Sequence, residues 1–296
     1  MENSDNTKRV QAAARSAVQG TAGSALYDPE LALEFFRSTG TLEKIKENTR
    51  IFVENEGAGG LFTKRPRMYL LLKGDVGLMV GNKTFGAVRH GEIFGELAVI
   101  SGLARSATAM ARSECSVFSL DEKQFLAALQ KTPEFALMLM SIMGQRLRQN
   151  IARLGAGGSV APPAGDHGGV LDRKTLAKLA GELDQQLPAS YGAGKVIVSA
   201  GATGALMYVV MEGRVAISVG SQVVEHVAPG GIFGEMALVD RSPRAATAAA
   251  ETDCKLLAIG RNDFIELVKA KPVFGALLLK SMAERTRRWY PQGKPA

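Results

Sequence analysis

The sequence predicts a mainly β protein with flanking α-helices, built from two tandem copies of one domain. Each copy is expected to be an antiparallel β-roll, similar to a jelly roll, with helices at its N-terminal and C-terminal ends. Three observations predict this fold: a motif that recurs at a fixed offset, short apolar runs interrupted by glycines, and an amphipathic helix at the end of each copy. The length of 296 residues also fits two domains.

The composition is that of an ordinary globular protein. With 46% hydrophobic and 22% charged residues, it argues against a disordered chain, a collagen-like repeat or a coiled-coil rod. The longest apolar stretch, Phe135–Met143, is too short to span a bilayer, and the polar N-terminus lacks the apolar core of a secretory signal. We therefore expect a cytoplasmic protein without a membrane partner. The net charge of +7 favours an anionic partner, from nucleic acid to a small phosphate.

The repeat is centred on one motif. Gly91–Ala98 recurs as Gly230–Ala237, at an offset of 139 residues. Between residues 91–109 and 230–248, ten of nineteen positions are identical without a gap, which is too many for chance. The chain therefore contains two copies of one domain rather than two unrelated domains.

Upstream of the motif, the copies differ in length. Gly57 matches Gly201 only if the first copy carries five extra residues, which we place in the basic segment Thr63–Arg67. Between the copies, the glycine, proline and alanine content of 155–169 predicts a flexible linker. The predicted division is a flexible N-terminal tail at 1–27, domain 1 at 28–154, the linker at 155–169, domain 2 at 170–290 and a C-terminal tail at 291–296.

Strands precede helices in each copy. Met68–Val80 and Met207–Val219 are apolar runs broken by a glycine turn, which predicts hairpins of an antiparallel roll. After the motif of the first copy we expect one more strand at Cys115–Leu120 and a helix from about Glu122 to Gln130. Pro133 ends that helix because it has no amide proton to donate.

A longer helix ends each copy. From Ala136, apolar residues recur every three or four positions, and the matching helix of the second copy ends at Trp289-Tyr290. We interpret the apolar faces as packing against each roll. The alternative is a seam through which the C-terminal helices form a homodimer.

The repeated motif has the chemistry of a nucleotide site. Gly95 allows a tight turn, and the backbone amides at the start of the following helix favour an anion. Arg105 presents a planar fork that binds two phosphate oxygens, and Glu96 is an acceptor that suits a sugar hydroxyl. The small residues Ser106–Thr108 leave room for a base. These features together indicate a nucleotide whose phosphate and ribose lie close together.

Catalytic and metal chemistry are not indicated. The two cysteines and three histidines fit no metal spacing, and the chain contains no nucleophile elbow and no Walker loop. We therefore expect no enzymatic activity, no metal and no cofactor.

The segments from Phe94 to Ala107 and from Phe233 to Ala246 resemble the phosphate-binding cassette of cyclic nucleotide-binding domains. The resemblance implies that Glu96 and Glu235 bind the ribose 2′-hydroxyl and that the arginine of each copy binds the cyclic phosphate. A decayed pocket, in which the glutamate and arginine merely pair with each other, is the alternative. The implied ligand-binding residues are Phe94, Gly95, Glu96, Leu97, Ala98, Arg105, Ser106, Ala107 and Thr108 in domain 1, and Phe233, Gly234, Glu235, Met236, Ala237, Arg244, Ala245, Ala246, Thr247, Trp289 and Tyr290 in domain 2.

The residue after the arginine bears on the base. In this family alanine goes with cyclic AMP and serine or threonine favours cyclic GMP, so Ala245 indicates cyclic AMP in domain 2 and Ser106 leaves domain 1 open between the two. Family members often close the pocket with an aromatic side chain from the final helix, a role that Trp289 or Tyr290 could take in domain 2. The other interpretation of Trp289 is a hydrophobic anchor for the chain end.

The resemblance thus implies a non-enzymatic intracellular receptor for cyclic nucleotides, one per domain, with cyclic AMP favoured. Ligand-induced movement of the C-terminal helices would be transmitted to a protein effector. DNA binding is not expected, since no helix-turn-helix follows either copy. Two alternatives use the basic insertion at 63–67: a nucleic-acid-binding regulator and a cyclic dinucleotide receptor. The basic segment Lys8–Arg15 is a poor kinase pseudosubstrate, and the role of residues 1–27 stays open between a mobile tail and a partner-binding helix.

Overall fold

A computed structural model describes residues 27–57, 65–81, 83–155, 165–167, 169, 171–172, 174–175 and 188–289. The contacts divide the chain into two compact units. Unit 1 takes the described residues up to Arg146 and those from Lys269 onwards, and unit 2 is Leu147–Val268. Among the described residues, no helix has both the length and the apolar character that crossing a bilayer requires. The predicted tails at 1–27 and 291–296 lie outside the described residues, except for Tyr27.

The first repeat contains the predicted strands followed by helices. Its elements are α1 (Pro29–Thr39), β1 (Thr41–Ile45), β2 (Arg50–Phe52), β3 (Arg67–Lys73), β4 (Val76–Val80), β5 (Lys83–Val88), β6 (Ile93–Phe94), α2 (Glu96–Ser101), β7 (Thr108–Ala111), β8 (Cys115–Asp121), α3 (Glu122–Lys131) and α4 (Glu134–Gly155). The helix expected at about Glu122–Gln130 is confirmed. It begins with a capping box, in which Asp121 and Gln124 satisfy each other's backbone amides, and it ends two residues before Pro133.

The second repeat has the same order of strands and later helices, preceded by one additional strand. Its elements are β9 (Gly165–His167), β10 (Ala189–Tyr191), β11 (Val196–Val198), β12 (Leu206–Glu212), β13 (Val215–Val219), β14 (Gln222–Val227), β15 (Ile232–Phe233), α5 (Glu235–Asp240), β16 (Thr247–Ala250), β17 (Cys254–Gly260), α6 (Arg261–Ala270) and α7 (Pro272–Arg288).

Unit 1 is built on two four-stranded antiparallel sheets, in the orders β1-β8-β3-β6 and β2-β7-β4-β5. Side chains of both sheets form one buried core. Within it the rings of Tyr69 and Phe94 are stacked with centroids 5.0 Å apart, because β3 and β6 pair at these two residues. The antiparallel roll predicted from the sequence is confirmed for this repeat.

Helices cover the strands of unit 1. Pro29 and the side chain of Asp28, which accepts from the amides of Glu30 and Leu31, start α1. The ring of Phe35 in α1 stacks on that of Phe135 in α4 at a centroid distance of 3.6 Å. A buried aromatic cluster thus ties the first helix to the start of the long helix.

Unit 2 repeats the two sheets, in the orders β10-β17-β12-β15 and β11-β16-β13-β14-β9. The additional strand β9 pairs in parallel with β14, with Asp166 opposite His226. The prediction of a flexible linker over 155–169 is therefore wrong for Gly165–His167, whose backbone completes a sheet edge. Polar and glycine-rich composition did not exclude a strand, because strand pairing uses backbone groups that every residue carries. Residues 156–164 lie outside the described residues.

The length difference between the repeats is seven residues rather than five. The amide of Asn55 donates to the carbonyl of Arg105, and that of Gly201 donates to the carbonyl of Arg244, so Asn55 and Gly201 are equivalent at an offset of 146. From Arg67 onwards the offset is 139, since Arg67 corresponds to Leu206. The extra residues lie between Glu56 and Arg67, and residues 58–64 lie outside the described residues.

The prediction that each final helix packs against its own roll holds for the part of α4 up to Arg146, which belongs to unit 1, but not for α7. Helix α7 belongs to unit 1, where it packs against α2 and α3. Its buried face includes Phe274, Leu278 and Met282. The part of α4 that follows Arg146 belongs to unit 2. An apolar stripe predicts that one face of a helix is buried, but it does not predict which of two similar rolls covers that face.

Candidate functional site

Apart from Trp289 and Tyr290, the ligand-binding residues predicted from the sequence lie in one segment of each repeat. Of all these predicted residues, only Tyr290 falls outside the described part of the chain. We call residues 93–108 cassette 1 and residues 232–247 cassette 2. Each cassette runs from a two-residue strand through a short six-residue helix to the threonine that begins the next strand, β7 or β16.

A left-handed glycine begins each cassette helix. Gly95 has φ = +73° and Gly234 has φ = +84°. A Cβ added to Gly95 would lie 2.9 Å from Nη1 of Arg105, and one on Gly234 would lie 2.8 Å from Nη1 of Arg244. Glycine is thus required twice, for the backbone conformation and for the close approach of the arginine.

Arg105 is buried beneath the turn. Its Nη1 donates to the carbonyl of Gly95 at 2.8 Å, and its Nη2 donates to the carbonyl of Arg67 at 2.7 Å. The guanidinium carbon lies 4.0 Å from the centroid of the Phe52 ring, a cation–π contact. Burial lowers the pKa of Arg105, but an arginine remains protonated over the physiological range.

Arg244 is held in the same way. It donates from Nη1 to the carbonyl of Gly234 at 2.8 Å and from Nη2 to the carbonyl of Leu206 at 2.5 Å. Beside its guanidinium lies Gly204, where a Cβ would come within 2.6 Å of Nη2. Burial also lowers the pKa of Arg244. Two repeats with different neighbours therefore keep one arrangement, a buried cation on two backbone carbonyls.

Glu96 is paired with a residue that sequence reasoning did not assign to the site. Nη1 of Arg146, in α4, lies 2.8 Å from Oε1 of Glu96, and both side chains are buried. Within the described residues Arg105 forms no ion pair, so the decayed pocket in which Glu96 and Arg105 neutralise each other is not what this structure contains. The one sequence signal for Arg146 was its recurrence as Arg285 at the offset of 139.

The remaining predicted residues differ in how deeply they are buried. The rings of Phe94 and Phe233 stack on Tyr69 and Tyr208 in the cores of their units. Leu97, Ala98, Ala107 and Ala237 are buried, whereas Ser106, Met236, Ala245 and Ala246 are half-buried.

The two threonines have backbone partners. The hydroxyl of Thr108 accepts from the amide of Glu54 at 2.9 Å, and that of Thr247 accepts from the amide of Ala200 at 3.1 Å. Each threonine thus ties its cassette strand to the loop whose backbone is hydrogen-bonded to the backbone of the cassette arginine.

Trp289 is half-buried at the C-terminal cap of α7. The sequence assigned it to the second site, but its helix packs in unit 1 against the helix of cassette 1. The assignment to the second site is corrected accordingly, because the fold of α7 rather than its place in the chain decides which cassette it approaches.

The basic insertion is partly engaged within the protein. Arg67 begins β3, and its guanidinium donates to the hydroxyl of Ser119 at 2.7 Å and lies 3.6 Å from Glu43. These contacts engage Arg67, which lies just after the extra residues, and so do not favour a role for Arg67 in binding nucleic acid or a second phosphate. Arg65 is exposed, and Thr63 and Lys64 lie outside the described residues.

The chemistry of a cassette follows from these contacts. A guanidinium has five N–H donors, and the arginine of each cassette uses two of its N–H groups on uncharged carbonyls. The positive charge is buried and, among the described residues, not matched by a carboxylate on the arginine itself. A carboxylate next to the turn supplies acceptors for a hydroxyl. The site therefore suits a small ligand that carries an anion and a hydroxyl side by side.

Several known proteins are similar in sequence to this chain. The chain is 28% identical over 223 residues to the cAMP-dependent protein kinase regulatory subunit of Eremothecium gossypii, covering 74% of this chain and 43% of that protein. It is 35% identical over 191 residues to the subunit of the same name from Aspergillus niger, covering 64% and 41%. The chain thus spans less than half the length of these relatives. The regulatory domain of Toxoplasma gondii PKA, solved with cAMP, matches at 20% identity and a TM-score of 0.30, covering 93% and 97%.

The sequence profile described as "cyclic nucleotide-binding domain" matches twice, at residues 42–132 and 188–271. The two matches contain both cassettes and together cover more than half of the chain. On this evidence the protein belongs to the cyclic nucleotide-binding domain family, with two tandem members of that family in one chain.

Proposed function

We propose that the chain is a non-enzymatic receptor that binds one cyclic nucleotide in each repeat. The observation that carries this proposal is the pair of buried guanidinium groups: Arg105 and Arg244 are only 4% and 8% exposed. Burying a charge is costly unless a partner of opposite charge is present. An anionic ligand provides that partner, and membership of this family indicates a cyclic phosphate.

The ligand is expected to lie across the turn of each cassette. The arginine binds the cyclic phosphate with N–H groups that do not face the backbone carbonyls. The amides of Gly95 and Ala107, and those of Gly234 and Ala246 in the second cassette, complete the phosphate site. Glu96 and Glu235 accept from the ribose 2′-hydroxyl. Arg146 supports this role because it neutralises and orients the Glu96 carboxylate.

Cyclic AMP is the favoured ligand. The relatives named above are cAMP-dependent kinase regulatory subunits, and Ala245 has no hydroxyl with which to select a guanine amino group. The half-buried Ser106 has one, so cassette 1 is the place to look for cyclic GMP binding. Replacing Ser106 with alanine is expected to lower cyclic GMP affinity there about fivefold, the effect of one hydrogen bond of roughly 1 kcal/mol, with cyclic AMP affinity unchanged.

The signal is proposed to pass to a protein effector, as the name "regulatory subunit" of the relatives suggests. Binding at a cassette stabilises the state in which the final helices are held against it, and the effector distinguishes the two states. A homodimer through the C-terminal helices is the other assembly that the sequence allows. Sedimentation of the protein alone, with and without cyclic AMP, distinguishes the two. A homodimer sediments with twice the mass of the monomer, whereas a chain that acts only on an effector stays monomeric.

Calorimetric titration tests the binding function. We expect heat with cyclic AMP and, in an Arg105→Ala/Arg244→Ala double variant, an affinity at least about 30-fold weaker, because a buried charge pair is lost at each site. A Lys280→Ala variant, which removes an exposed charge from α7, is the control and should bind like the wild type. No heat with cyclic AMP or cyclic GMP, or unchanged affinity in the double variant, would refute the proposal. Competition by cyclic di-GMP, or a salt-dependent gel shift with nucleic acid, would favour the alternatives.

A further inference from the structure

One contact links the end of the chain to cassette 1. Within unit 1, Nη1 of Arg287, in the last turn of α7, donates to the backbone carbonyl of Ala104. Ala104 directly precedes the phosphate arginine, so this carbonyl belongs to the same peptide group as the amide of Arg105. That amide donates to the carbonyl of Glu56 at 2.8 Å. The peptide before Arg105 is therefore fixed on both of its polar atoms.

The same contact occurs in unit 2. Arg148, in the second half of α4, donates from Nη1 to the carbonyl of Pro243, which directly precedes Arg244. The amide of Arg244 donates to the carbonyl of Ala202 at 2.9 Å. Arg148 and Arg287 are separated by 139 residues, and so are Ala104 and Pro243. The contact therefore obeys the offset of the repeat on both of its sides, although each helix belongs to one repeat and each cassette to the other.

Arg148 makes a second contact within unit 2. Arg148 also binds both carboxylate oxygens of Asp240, at 2.5 Å from Nε and 3.0 Å from Nη2. Asp240 is the last residue of α5, and its Oδ1 accepts from the amide of Ser242. A bidentate pair of this kind fixes orientation as well as distance. Arg148 thus holds the loop between the cassette helix and the phosphate arginine at two points.

We propose that Arg148 and Arg287 are positioning residues for the phosphate arginines, each acting on the cassette of the repeat to which its own helix does not belong. The proposal rests on the binding function proposed above. The expected effects on binding are the opposite of those expected if each helix acted on the cassette of its own repeat. Changing the last helix of the chain weakens ligand binding in the first repeat, and changing the helix that ends the first repeat weakens binding in the second.

Hydrogen exchange without ligand tests the positioning. Arg287→Ala should speed amide exchange in residues 103–107 and leave 242–246 unchanged, whereas Arg148→Ala should do the reverse. Lys280→Ala, on the same helix as Arg287, is the control and should change neither segment. Thermal unfolding identifies any variant that has lost its fold. If each variant affects the cassette of its own repeat, or if neither segment changes, the proposal is wrong, whatever the protein binds.

Binding to single-site proteins tests the consequence for the ligand. In an Arg244→Ala background, which keeps only cassette 1, Arg287→Ala should weaken cyclic AMP binding about tenfold and Arg148→Ala should not change it. In an Arg105→Ala background the two effects should exchange. Arg148→Lys should recover little of the loss caused by Arg148→Ala, because lysine cannot bind Asp240 bidentately. Equal effects of both changes on both sites, or full recovery by Arg148→Lys, would overturn the assignment. Absence of any binding by the single-site proteins, with the exchange pattern as expected, would instead count against the proposed function.

Discussion

In unit 1, Nη1 of Arg146 lies 2.8 Å from Oε1 of Glu96, and the two side chains are only 9% and 8% exposed. This pair joins the long helix α4 to the first residue of the cassette helix. Breaking a buried pair by removing one partner leaves an uncompensated charge, which is more costly than never having had the pair.

Arg146→Ala is therefore expected to lower the free energy of unfolding of unit 1 by about 3 kcal/mol or more. The measurement is urea unfolding followed by the fluorescence of Trp289, the single tryptophan, whose helix belongs to unit 1. Adding Glu96→Gln to Arg146→Ala removes the orphaned charge and should recover part of the loss. A single variant within about 0.5 kcal/mol of wild type would mean that water already compensates Glu96.

Gly95→Ala is expected to damage binding as well as stability. The change costs about 1–2 kcal/mol for the left-handed backbone, and its Cβ would lie 2.9 Å from the guanidinium of Arg105. Gly102→Ala is a matched control, because Gly102 has a similar φ of +71° but nothing within 4 Å of an added Cβ. Both variants should lose stability through the backbone, and Gly95→Ala should lose more, while only Gly95→Ala should weaken cyclic AMP binding to cassette 1. Equal binding by the two variants would show that Arg105 does not need this space.

Phe52 is expected to contribute to binding in the first repeat alone. Its ring supports the Arg105 guanidinium at 4.0 Å, whereas Gly204 lies beside Arg244 in the second. Phe52→Leu keeps an apolar side chain but removes the cation–π contact, worth roughly 0.5–2 kcal/mol. Calorimetry in the Arg244→Ala background should find weaker cyclic AMP binding, and the same change in the Arg105→Ala background should have no effect. An effect on both sites would assign Phe52 to overall stability.

Glu92 should make stability depend on pH. Burial raises the pKa of Glu92 above its ordinary value of 4.5, although its hydrogen bond from the amide of Arg89 opposes this. Between 4.5 and the raised pKa, the folded protein binds the proton that the unfolded chain has lost, so stability falls as pH rises through that window. Glu92→Gln keeps an acceptor but cannot ionise.

The stability of wild type relative to Glu92→Gln should therefore decrease as pH rises above 4.5 and then level off. Below 4.5 Glu92 is protonated in both states, and the two proteins should show parallel profiles. Thermal unfolding of both proteins between pH 4 and pH 8 measures the difference. A difference that grows in the opposite direction, or that does not change with pH, would contradict a raised pKa.

The repeat, the roll and the glycine turn of each cassette could be predicted from the sequence because short motifs encode them locally. Gly95 and Arg105 depend on a backbone conformation and a charge that few other residues provide. The insertion was misplaced because glycine identity is an imperfect guide to conformation. Gly201 has φ = +78°, and its true counterpart Asn55 has φ = +65°, which asparagine tolerates. The sequence therefore aligned Gly201 with Gly57 instead.

The partners of the final helices could not be predicted. The surfaces that α4 and α7 cover belong to two copies of one domain, so the apolar pattern of a helix fits either copy. The roles of Arg146, Arg148 and Arg287 depend on that choice, since their partners lie tens of residues or more away along the chain. The strand at Gly165–His167 was missed for a related reason, because its partner is the backbone of β14 rather than an apolar surface.

The claim that each repeat holds one cyclic nucleotide on one buried arginine is tested most directly by native mass spectrometry with saturating cyclic AMP. The wild type is expected to bind two molecules, Arg105→Ala one, Arg244→Ala one and the double variant none. Two molecules on the double variant, or none on the wild type, would contradict the claim.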